Sequence, residues 1–218
     1  MNFQRVLFGV FAVLVLVTIV AILFSPESLI TYLIIKEWGP VENAQVIFYA
    51  TGALVSWIYA RQKIWDGGYH GSLILLIFAM RELDFQKKFT GISITRTKYY
   101  YNFDAPLSAK LLCALIVIGI IVLFILFIKK HFKVFLQNVR TRKNWALSVF
   151  AGLVSMIIAI FTDSSLRVLE SLGIESTNNV NLLKIALEEL FELATPFFFL
   201  NALLVYGSQT TTLTRKNL

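Results

Sequence analysis

The chain has 218 residues, 57% of them apolar, with mean hydropathy +0.73 and a formal net charge of +7. Only 15% are Asp, Glu, Lys or Arg, against about 25% in a soluble domain. That balance cannot cover a water-facing surface, so a soluble enzyme and a disordered tail are excluded. Apolar stretches of roughly 20 residues recur and point to a polytopic membrane protein.

Cysteine and histidine chemistry is sparse. Cys113 stands alone, so it forms no internal disulfide and no cysteine metal cluster. His70 and His131 are too few for the common zinc sites.

In chain order, Arg5 precedes an apolar run from Val6 to Phe24. The run is longer than a signal-peptide core, and the exit Leu23-Phe24-Ser25-Pro26 offers no small-x-small cleavage site. It reads as a retained first span. Ser25-Pro26-Glu27 is a helix-start signal for a short interfacial helix over Leu29 to Ile35, which Gly39-Pro40 ends. Further spans are expected near residues 43–60, 68–85, 106–128, 145–162 and 182–206. A second surface helix is expected over Ser164 to Leu172, with Leu166, Leu169 and Leu172 on one face. The expected architecture is all-α: a six-span transmembrane bundle with two short interfacial helices, in one domain over residues 1–218.

Charge falls unevenly about these spans. With the N-terminus inside, the inner segments hold eleven bases and one acid, Asp66, while the outer segments hold nine bases and twelve acids. The sides carry +10 and −3. By the positive-inside rule both termini are cytoplasmic. The basic run from Lys129 to Lys143 would face anionic lipid head groups, at about 1 kcal/mol per nearby cation. No basic sheet or recognition helix of nucleic-acid type is visible. One loop breaks the pattern: Lys87, Lys88, Arg96 and Lys98 fall outside. Either an anionic partner meets them there, or the third span does not cross.

Two spans carry charges too deep for comfort. Gly71 to Met80 covers only about 15 Å before Arg81-Glu82-Leu83-Asp84, and Leu193 to Tyr206 about 21 Å after Glu188, Glu189 and Glu192. A charge at mid-bilayer costs at least about 2.5–3.5 kcal/mol, so such groups face the bundle interior or a watery cavity. Glu188 and Glu192 share a helix face, with Glu189 rotated about 100° away. Pro196 frees the carbonyl of Glu192 and tends to kink the helix. An oxygen-rich site of this kind suits a hard cation. Arg81 could pair locally with Asp84. The candidate ligand or ion site is therefore Glu42, Glu82, Asp84, Glu188 and Glu192. The candidate contacts for an anionic head group are Arg81, Lys87, Lys88 and Arg96. The plainer reading is that Glu37, Asp104 and Glu189 are helix-start acids and that Arg81, Lys110 and Lys184 neutralise their neighbours.

Other groups read as structural. His70 and His131 are interfacial. Ser148, Ser155 and Thr162 are helix-packing groups. Trp38 and Tyr99-Tyr100-Tyr101 suit an aromatic belt. Phe197-Phe198-Phe199 is lipid- or core-facing bulk.

The two motifs Glu37-Trp38-Gly39-Pro40-Val41-Glu42 and Arg81-Glu82-Leu83-Asp84-Phe85 resemble a family of uncharacterised small bacterial polytopic inner-membrane proteins. The resemblance covers roughly the first half of the chain. Trp38 departs from it where a second acid is expected, as does Asp84-Phe85 where relatives have Ser-Trp. It implies a bacterial inner-membrane location and singles out Glu42 and Glu82, but implies no reaction.

Three functions stay open. The first is binding or transport of a cation, a proton or an amine-bearing ligand, with a homodimer as the expected unit. The second is a Mg²⁺-dependent enzyme on a lipid or lipid-linked phosphate, with carboxylates on the divalent cation and Lys87, Lys88, Arg96 and Lys98 on the phosphate. The third is a non-catalytic assembly or immunity-type protein whose buried charges only pair.

Overall fold

The computed structural model describes the backbone of residues 3–25, 28–36, 39–95, 97–101, 104–171 and 177–216. The side chains of 3–8, 30, 35, 166–171 and 211–216 lie outside the described set. Among the described residues the chain is all-helical, without strands. The elements are α1 (Phe3–Phe24), α2 (Leu29–Ile35), α3 (Pro40–Arg61), α4 (Gly68–Glu82), α5 (Phe85–Thr90), α6 (Thr97–Tyr101), α7 (Leu107–Arg140), α8 (Asn144–Ser171) and α9 (Asn178–Lys216).

Local chemistry sets the boundaries. Helix α2 occupies the expected residues, but its N-cap is Ser28, not Ser25: the Ser28 hydroxyl accepts from the Thr31 N–H at 3.3 Å. Pro26 and Glu27 lie outside the described residues. Helix α3 starts with Gly39 at the cap, Pro40 in the first turn, where its missing N–H costs nothing, and Glu42 against the positive helix end. Asp84 (φ 48°) turns the chain from α4 into α5, and Gly91 (φ 71°) ends α5. The expected surface helix at Ser164–Leu172 is not separate. No helix breaker interrupts Thr162-Asp163-Ser164-Ser165, and α8 runs unbroken to Ser171. Leu172 and Gly173 lie outside the described residues, as do Glu37 and Trp38.

Three helices are long and apolar enough to cross a membrane: α7, α8 and α9. Helix α1 adds a shorter apolar stretch, Gly9–Phe24. Helix α4 has 15 residues, about 22 Å of rise against a hydrocarbon core of about 30 Å. Helix α3 has 22 residues but carries Glu42, Asn43, Gln45, Thr51 and Ser56. These apolar helices mark a membrane protein.

Helix α9 is the hub, packing against α8, α3, α1 and α2. One core joins Tyr49 and Ala53 of α3, Leu75 and Ala79 of α4, and Leu203 of α9. A second joins Ile22 of α1, Ile34 of α2, and Ala186 and Leu190 of α9. Polar links cross the same interfaces. Asn201 Nδ2 donates to Ser148 Oγ at 2.8 Å, and Ser56 Oγ donates to the Gly68 carbonyl at 2.8 Å. Ser148 and Ser155 are buried between helices, as packing groups would be. A Cβ on Gly68 would sit 2.6 Å from the Ser56 carbonyl oxygen, so glycine is what lets α3 and α4 touch. Helix α7 is different: it leaves most of its apolar length uncovered by protein.

The segment between α4 and α7 forms a satellite cluster of Ile94, Tyr99 and Cys113. Tyr99 is 1% exposed and its hydroxyl lies 3.4 Å from Cys113 Sγ, so it is a core residue and not part of an aromatic belt. Tyr101, 84% exposed, points away. Phe198 is buried and meets Phe11 edge to face at 5.8 Å.

Candidate functional site

Three helices bring carboxylates to one level of the bundle. Glu42, Gln45 and Tyr49 recur at positions three and four apart, so α3 turns one polar face inward. The last turn of α4 supplies Arg81 and Glu82, and α9 supplies Glu188, Glu189 and Glu192.

Direct contacts connect them. Gln45, 1% exposed, donates from Nε2 to Glu189 Oε2 at 3.2 Å and to the Glu189 carbonyl at 3.4 Å. Arg81 lies 3.1 Å from Glu192 and 3.7 Å from Glu82. Tyr49 is buried within electrostatic range of Glu82, Arg81 and Glu192. Glu42 lies within range of Glu82 and Glu189. Spans two, three and six of the sequence reading are thus neighbours.

The shared face of Glu188 and Glu192 is divided between two partners. Glu192 meets Arg81, whereas Glu188 is held by Lys184 at 2.7 Å, and Lys184 also reaches Asp163 of α8 at 3.4 Å. Arg81 does not pair with Asp84. The left-handed turn at Asp84 aims that carboxylate at Lys87, 2.6 Å away. Asp84 and Lys87 therefore neutralise each other beside the cluster. Lys88 is exposed, and Arg96 lies outside the described residues.

Glu42, Glu82, Asp163, Glu188, Glu189 and Glu192 thus gather around the cations Arg81 and Lys184. Helix α9 continues through Pro196 without interruption. Pro196 has no N–H to give the Glu192 carbonyl, which leaves one more acceptor beside the acids. Among the described residues, no three His, Cys, Asp or Glu groups converge as a metal site would.

Gln45 is the residue the sequence reading passed over. Its Oε1 is buried with no hydrogen-bond partner. A signal existed: a glutamine three residues after Glu42 is rare inside an apolar span and points the same way. Glu189, read as a helix-start acid, is instead the partner of Gln45.

At the opposite end, α7 carries His131 beside Lys129 and Lys130. The Lys130 ammonium hydrogen-bonds Asp66 at 2.7 Å and holds that carboxyl below the usual carboxylate range.

No protein-family model, curated protein or solved structure matches the chain.

Proposed function

We propose that the chain is a six-span membrane protein whose acidic end binds, and passes across the bilayer, a proton or a small cation such as a protonated amine. Helices α1, α3, α4, α7, α8 and α9 are the spans in this reading. The positive-inside rule turns the acidic end outward and both termini toward the cytoplasm of a bacterial inner membrane. A homodimer is the expected transporting unit.

One observation carries the reading: the unpartnered Gln45 Oε1 amid the acids. A buried carbonyl oxygen without a donor costs about 1–3 kcal/mol. Carboxylates supply no donor unless protonated. A proton on a neighbouring acid, or a cation that comes and goes, supplies the missing partner. The absence of a converging three-ligand group among the described residues turns the reading from a divalent ion toward protons and ammonium.

The pairing function has support of its own, because Arg81–Glu192 and Lys184–Asp163 bind helices together. The enzyme reading has less, since Lys87, one of its phosphate contacts, is engaged by Asp84.

The test is flux into proteoliposomes under an imposed pH step or methylammonium gradient, read by an internal pH dye and by charge movement. The expected result is flux by the wild type and loss of at least about tenfold in Gln45→Leu and Glu189→Gln, both folded. Wild-type protein that moves neither and gains no thermal stability from either overturns the proposal and leaves the carboxylates as helix-pairing groups.

A further inference from the structure

The basic end of the bundle holds a cleft of about 450 Å³ lined by His70, Leu126, Phe127, Lys129, Lys130 and His131. We propose that this cleft binds the phosphate head group of an anionic amphiphile, with the apolar chain laid along Leu126 and Phe127. The proposal is independent of the carboxylate cluster, which lies at the other end of the same helices.

The lining divides in the way such a ligand does. Positions 126 and 127 lie three and four residues before 129, 130 and 131, so all share one side of α7. Over a single turn, about 5.4 Å, that side changes from apolar to cationic. His70, from the start of α4, closes the polar half. A cleft of this size lies within the usual range for small-ligand sites, roughly 300–1,000 Å³. Basic pockets between membrane helices are a recognised way to hold phosphorylated head groups.

The walls are preformed. Trp65, in the turn between α3 and α4, packs edge-on against Phe127 at 6.1 Å and lies tilted against His131 at 6.0 Å. That turn lies so close to α7 that a Cβ on Gly67 would be 2.7 Å from His131 Nε2. His131 Nε2 is itself buried against that turn with no hydrogen-bond partner. Asp66 is the acid at this end, and it is committed to Lys130. No carboxylate among the described residues pairs with Lys129. The cleft therefore has one free cation and one held by an exposed acid that an incoming phosphate can displace.

The remaining bases of this face give the control. Lys133 and Arg142 lie on the same side of the bundle by charge but do not line the cleft.

The experiment is native mass spectrometry of the full chain in neutral detergent, with phosphatidylglycerol and phosphatidylcholine in equal amounts. A parallel arm adds inorganic phosphate. Wild type is expected to retain one phosphatidylglycerol in preference to phosphatidylcholine. Lys129→Gln with Lys130→Gln should lower that retention roughly tenfold or more, whereas Lys133→Gln with Arg142→Gln, the same charge loss, should change it less than about twofold. Asp66→Asn leaves the helices untouched, frees Lys130 and should raise retention about threefold. Equal losses in the two double variants overturn the proposal in favour of a diffuse field. So does retention in Asp66→Asn that is unchanged or lower. Displacement of the lipid by millimolar inorganic phosphate supports the phosphate subsite but overturns the lipid as its occupant. Circular dichroism checks that each variant is folded.

Discussion

Arg81 Nη2 lies 3.1 Å from Glu192 Oε1, although 111 residues separate the two in the chain. The contact ties the end of α4 to the middle of α9 at the level where Gln45 of α3 meets Glu189. Its energetics are unequal. A hydrogen bond to a charged group contributes about 1.5–3 kcal/mol, but removing one partner leaves the other charge exposed to a poor solvent.

Arg81→Gln should therefore destabilise the protein by about 2 kcal/mol in detergent, and Glu192→Gln by less. The double variant should lose less than the two singles together, with a coupling of about 0.5–3 kcal/mol. Thermal unfolding of the four proteins measures it. Strict additivity would show that the ion pair contributes nothing.

Asn201 and Ser148 form a buried link between α9 and α8. Ser148→Ala removes the acceptor and leaves the Asn201 amide without it, at about 1–3 kcal/mol. Ser148→Ala with Asn201→Leu replaces both polar groups and should recover most of that loss. A double variant weaker than the single would place the value of the pair in its shape and not in its hydrogen bond.

Gly68 permits the closest approach of α3 and α4. Gly68→Ala puts a methyl against the Ser56 carbonyl and should cost about 1–3 kcal/mol by overpacking. Gly119 of α7, where an added Cβ meets nothing within 4 Å, is the contrasting site. Gly119→Ala should stabilise by up to about 1 kcal/mol through helix propensity. Paired melting curves decide both.

Asp66 is hydrogen-bonded to Lys130, which keeps its folded-state carboxyl below the ordinary range. A depressed carboxylate contributes stability that is present above the unfolded value and is lost as pH falls through the folded one. The window therefore lies below about pH 4. A carbon-13 titration of the Asp66 carboxyl should show a midpoint below about 4 in wild type and a rise toward 4 in Lys130→Gln. An unchanged midpoint in the variant would refute the pair in solution.

Much of the bundle was legible in the sequence because apolar length is a local property. The runs that became α1, α7 and α9 are visible without knowing their neighbours, and α2 falls on the expected residues. Helix ends were harder. Polar residues such as Lys129 to Arg140 carry no breaker, so α7 continues past its apolar part. Likewise Asp163 did not divide α8. Depth of charge brought Glu82 and Glu192 forward as candidates, and the structure places both beside Arg81. Their partners were not legible. Whether Arg81 meets Asp84 or Glu192 depends on the left-handed turn at Asp84 and on a helix more than a hundred residues away. Gln45 was missed because an uncharged amide draws no attention until its burial is known.

The place of α9 at the centre has a consequence for how the protein is made. The ribosome delivers α1, α2, α3 and α8 before α9, the helix they pack against. Until then Arg81 has no Glu192, Gln45 no Glu189 and Ser148 no Asn201. The polar faces of the early helices must wait, half-assembled, at the insertion machinery or along its edge. Helix α9 then closes the structure from within, so the order of synthesis runs against the order of packing.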